Sequence, residues 1–107
     1  MTIKEFEKQI KNLIKLIDKK IKMNSPELIT CLKITEELGE LSDVIIGLNN
    51  GQRKRKKFSE KKMKEKLETE IADVIGTTFI LATRLNVDVE KALLKKLNVE
   101  KKRWEKE

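Results

Sequence analysis

From the start of the chain, Ile3, Phe6, Ile10, Leu13, Ile17 and Ile21 recur in steps of three and four. This is the period of a helix that buries one stripe. Thr2 followed three residues later by Glu5 has the spacing of a capping box, so the first helix is predicted to begin at Ile3. Asn24-Ser25-Pro26 closes it, and Ser25 as N-cap with Pro26 at the first helical position opens a second. That helix is predicted to run to about Leu48, where Asn49-Asn50-Gly51 tolerates a left-handed stop. Ser59 is the expected cap of a third helix reaching about Leu85, with Asn86 as its end. Asp88 is the expected cap of a fourth, with Ala92, Leu93, Leu97 and Trp104 on its inner face. No repeat or linker breaks this order. The expectation is an all-α four-helix bundle, one domain over residues 1–107.

Composition narrows the chemistry. The 107 residues include no histidine and one cysteine. A Ser-His-Asp triad, an imidazole-bound metal, a thiolate cage and an internal disulfide are therefore excluded. One cysteine suits a reducing compartment, so a cytoplasmic location is expected. No apolar run approaches the roughly 18–20 residues of a membrane span. A domain this small buries a modest share of its surface, which makes self-association a natural supplement. The net charge is +7, and Arg53, Lys54, Arg55, Lys56 and Lys57 supply five positive charges in one run. Solvated loop, phosphate steering and nucleic-acid binding are its three readings. No aromatic interrupts the run to stack on bases, which weighs against nucleic acid.

The acids break the apolar pattern. At about 100° per residue, Glu37 falls between Val44 and Leu48 on the buried arc of the second helix, and Glu40 lies on its edge one turn later. On the third helix, Glu70 borders the stripe of Met63, Leu67, Val74 and Leu81, and Asp73 follows one turn on. A glutamate on a core-facing stripe is costly unless neutralised, paired or bound to metal. Four ionised carboxylates in one place would repel, and a hard divalent cation removes that repulsion. Ion pairs to lysines and chance exposure are the competing explanations. Cys31, also on the second helix, reads as a small core residue.

Glu36-Glu37-Leu38-Gly39-Glu40-Leu41 and Glu70-Ile71-Ala72-Asp73-Val74 together resemble the EExxE…ExxD signature of the MazG-like nucleotide pyrophosphohydrolases, in the all-α NTP pyrophosphatase superfamily. The likeness extends from the second helix to Trp104 and includes Arg84-Leu85-Asn86-Val87-Asp88. It implies a homodimer, or a homotetramer built from two dimers. It implies Mg²⁺-dependent hydrolysis of nucleoside triphosphates between the α and β phosphates, with Mn²⁺ as a substitute ion. Glu37, Glu40, Glu70 and Asp73 match the metal ligands. Glu36 and Glu37 match the catalytic acids, with Glu36 binding a second ion or orienting the attacking water. Lys96 matches a phosphate-binding lysine, and Arg103-Trp104 matches a terminal Arg-aromatic pair. Glu100 stands where the family commonly carries an asparagine. Gly47 stands where deoxycytidine-specific relatives carry a base-stacking tryptophan, so no base preference is implied. A different pyrophosphate-releasing substrate, such as a phosphoribosyl nucleotide, is a variant within the superfamily. The alternative outside it is a non-catalytic helical module binding nucleic acid or a partner through Arg53 to Lys57.

Overall fold

The computed structural model describes residues 1–49 and 59–106. They form four helices: α1 (Ile3–Lys20), α2 (Pro26–Asn49), α3 (Glu60–Arg84) and α4 (Val89–Glu105). No strand occurs among the described residues, and the fold is all-α as predicted. The basic run Arg53 to Lys57 lies outside the described residues.

The helix ends follow from local chemistry. Thr2 Oγ1 accepts from the Glu5 amide at 3.1 Å while Glu5 Oε1 accepts from the Thr2 amide at 2.9 Å. Two otherwise orphaned donors are thereby satisfied reciprocally. The Thr2 amide first, and the Thr2 side chain after it, hold the Glu5 carboxyl below its ordinary range. Ser59 Oγ accepts from the Lys62 amide at 3.1 Å, and Asp88 Oδ1 from the Lys91 amide at 3.0 Å. Between α3 and α4, Asn86 adopts φ 57. The Val87 amide reaches back to the Ala82 carbonyl at 2.8 Å and the Asn86 amide to Thr83 at 3.2 Å, which makes a Schellman stop.

The helices group into two compact units, one of Met1–Asn24 with Phe79–Glu107 and one of Ser25–Thr78. In the first unit, Ile10 is buried and Phe6 meets Phe79 edge to face with ring centroids 4.8 Å apart. Arg84 forks onto Asp18, with Nη2–Oδ1 at 3.0 Å and Nη1–Oδ2 at 3.3 Å. Lys4 Nζ binds Asp88 Oδ2 at 3.0 Å, and the Val89 amide donates to Glu7 Oε2 at 3.2 Å. The start of α4 is thus tied to α1 by charge and capping together. The inner face expected for α4 is not covered by the described residues: Ala92, Leu93, Leu97 and Trp104 are all exposed.

In the second unit, Val44 of α2 and Met63 of α3 are buried. A Cβ added at Gly47 would lie 3.7 Å from Met63 Cε. Thr30 is buried as well, its hydroxyl satisfied by the Pro26 carbonyl at 2.6 Å. Cys31, expected in the core, is exposed. The buried arc passes through its neighbour Thr30, about 100° away around the helix.

Candidate metal centre

The site is built on the α2–α3 unit. The late residue Gly47 of α2 meets the early residue Met63 of α3, whereas Glu37 and Glu40, earlier on α2, act electrostatically on Glu70, later on α3. Contacts that run back along one helix as they advance along the other make an antiparallel hairpin. The hairpin brings the two acidic motifs to the same level.

Glu37 is 5% exposed, beside Val44 on the buried arc. Its Oε1 is shielded from solvent and has no hydrogen-bond partner. Glu70 is half-buried, and its Oε2 is likewise shielded and unpartnered. Burial of Glu70 pushes its carboxyl above the usual range, and the negative charges of Glu40, Asp73 and Glu37 push it the same way. The Lys66 ammonium, one turn earlier on α3, pulls against them. Each helix therefore contributes one shielded carboxylate oxygen, and two further acids, Glu40 and Asp73, act with Glu37 on Glu70.

Glu40 and Asp73 are exposed. Among the described residues, no three acidic or cysteine side chains are drawn together closely enough to ligate one ion. Like charges without a counter-ion gain by standing apart. Glu36 is exposed and forms an ion pair with Lys33, Oε1 to Nζ 3.5 Å. The acids thus divide into two shielded residues, Glu37 and Glu70, and three that reach solvent.

Lys96, Arg103 and Trp104 belong to the other unit, on α4, and all three are exposed. Lys96 Nζ stands 3.7 Å from Glu100 Oε2, and Arg103 Nη1 3.5 Å from Glu100 Oε1. Sequence reasoning noted Glu100 only as a departure from the expected asparagine. Its spacing of four from Lys96 and three from Arg103 was the signal that it would engage both. Lys66, which tempers Glu70, was also missed, although its i, i+4 spacing was visible.

A helical hairpin with acidic motifs on both arms defines a class of α-helical, carboxylate-bearing proteins. More specifically, the model of the MazG-like family matches residues 28–107, which include both acidic motifs and all of α4. The chain belongs to the MazG-like family. No curated protein and no solved structure matches it.

Proposed function

We propose that this chain is a Mg²⁺-dependent nucleoside triphosphate pyrophosphohydrolase, releasing nucleoside monophosphate and pyrophosphate. Family membership supports a nucleotide pyrophosphohydrolase. The observation that carries the finer reading is the pair of shielded, unpartnered carboxylate oxygens, Glu37 Oε1 and Glu70 Oε2, in the two acidic motifs. A buried carboxylate left without a partner is expensive. An all-carboxylate donor set suits a hard cation such as Mg²⁺ or Mn²⁺. The donor chemistry of these residues suits such an ion.

Glu37, Glu40, Glu70 and Asp73 would hold the metal. When bound, it would supply charge neutralisation at the phosphate oxygens and a water of lowered pKa. Glu36, exposed and held by Lys33, would orient the attacking water and accept its proton. Lys96 and Arg103 would bind the phosphate chain, with Trp104 against the nucleoside. No protein nucleophile is required, which suits a chain without histidine. The apolar side chains left exposed on every helix support self-association into a dimer or tetramer. No helix among the described residues is long and apolar enough to cross a membrane, and the single cysteine suits a cytoplasmic protein.

The test is a panel of ribo- and deoxyribonucleoside triphosphates with Mg²⁺, the products separated by chromatography. The expected outcome is monophosphate plus pyrophosphate. Glu37→Gln should slow turnover by more than about a hundredfold, the upper end of what losing a supporting metal contact costs. Full activity in Glu37→Gln would overturn its assigned role. No triphosphate turnover, with Mg²⁺ bound, would transfer the reading to another pyrophosphate-releasing nucleotide.

A further inference from the structure

Lys96, Glu100 and Arg103 lie at i, i+4 and i+7 of α4, within an arc of about 60°. One carboxylate is shared between two cations: Lys96 Nζ approaches Oε2 at 3.7 Å and Arg103 Nη1 approaches Oε1 at 3.5 Å. Two cations converging on the two oxygens of one anion is the arrangement a phosphate would use. We propose that Glu100 is a built-in competitor for the phosphoanhydride chain, occupying its two cations until the ligand displaces it. The proposal rests on the reading of Lys96 and Arg103 as phosphate-binding residues.

The geometry makes Glu100 displaceable. Both contacts are long against the roughly 2.7–2.9 Å of a strong charge-assisted bond. Glu100 Oε2 is shielded from solvent and accepts no hydrogen bond, so one of the carboxylate's oxygens is poorly satisfied. The cations remain reachable, with the Lys96 and Arg103 side chains 71% and 72% exposed. A phosphate carries more charge than a carboxylate, and an arginine fork can bind it bidentately. Intrahelical pairs of this kind are each worth a factor of about two in equilibrium. The need to break both pairs should therefore weaken phosphate-chain binding by about threefold to fivefold. An asparagine or glutamine at this position would impose no such competition. The carboxylate thus sets the affinity of the α4 cations, for the substrate's triphosphate and the released pyrophosphate alike.

Trp104, the only tryptophan, sits next to Arg103 and is 76% exposed, so its fluorescence can report the event. The full-length protein would be titrated with inorganic tripolyphosphate and with pyrophosphate. EDTA would be present, so that the α2–α3 acids take no metal-dependent part. Glu100→Gln should saturate at about threefold to fivefold lower ligand concentration than the parent. Lys96→Met/Arg103→Met should lose the response. Glu105→Gln removes the same charge from α4 at an exposed residue with no ion pair among the described residues, and it should titrate like the parent. A shift for both ligands assigns the competition to the chain as such; a shift for pyrophosphate alone assigns it to product release.

With nucleoside triphosphate and Mg²⁺, Glu100→Gln should lower KM by a similar factor while leaving kcat unchanged or reduced. Three outcomes would overturn the proposal: identical titrations of parent and Glu100→Gln, equal tightening by Glu105→Gln, or no fluorescence response in any protein. The last would remove the anion site without touching hydrolysis, which is read separately from its products. Circular dichroism of each variant confirms that α4 still forms.

Discussion

Glu70 sits in an environment unlike that of a surface glutamate. Its carboxyl titrates above the usual value of 4.5, through burial first and through Glu40, Asp73 and Glu37 next. The folded protein keeps this proton at a pH where the unfolded chain has released it. The group's contribution therefore falls as pH rises through the window just above 4.5. In metal-free protein, Tm should rise on acidification from neutral pH into that window. Glu70→Gln should raise Tm at neutral pH and flatten this part of the profile. A lower Tm for Glu70→Gln in EDTA would instead mark Glu70 as a structural ion-pair partner. Asp88 behaves oppositely: the Lys91 amide first, then Lys4, hold its carboxyl below the usual 3.8. Its stabilisation is complete above that value and is lost as pH falls through the lower folded pKa.

At the scale of the elements, the α2–α3 hairpin depends on a small contact. Met63 is 4% exposed and packs where Gly47 leaves room. Met63→Ala should destabilise by about 2–4 kcal/mol, the usual range for emptying a buried methionine site. Gly47→Ala should do the reverse. Its new methyl would meet Met63 at an ordinary contact distance of 3.7 Å, while the helix gains up to about 1 kcal/mol of propensity. Urea denaturation of both variants checks the pair, and destabilisation by Gly47→Ala would show that the hairpin is packed more tightly there. The α3–α4 turn makes a separate prediction. Asn86 sits at φ 57, where a β-carbon is disfavoured, so Asn86→Ala should cost about 1 kcal/mol and Asn86→Gly almost nothing.

For the molecule as a whole, the buried apolar set is short: Ile10, Val44 and Met63 among the described residues. Leucines and isoleucines lie exposed on every helix, with Leu16 at 58% and Leu32 at 61% among them. Apolar surface on this scale is what the proposed self-association would cover. Light scattering coupled to gel filtration should give a mass that is a multiple of 12.5 kDa. Leu32→Glu, on the outer face of α2, should reduce that mass or weaken its concentration dependence. A parent protein running at 12.5 kDa at all concentrations would refute self-association.

Thr2, Ser59, Asp88 and Asn86 show how much was legible in the sequence. Each ends or begins a helix where its side-chain chemistry predicted, because capping is decided within four or five residues. The all-α class and the placement of Glu37 on one face with Val44 were legible for a similar reason, since helical period alone places residues on a face. Burial itself was not. Leu93, Leu97 and Trp104 had periodicity to recommend them as core, and Cys31 its residue type, yet all are exposed, because a stripe can be apolar without a partner among the described residues. Nor could spacing show that the Oε1 of Glu37 and the Oε2 of Glu70 would both be shielded and left without donors. Local sequence therefore determined the helices, their caps and the rank of acids along them. Only the packing of one helix on another decided which of those acids lost water, because desolvation depends on what lies opposite a residue.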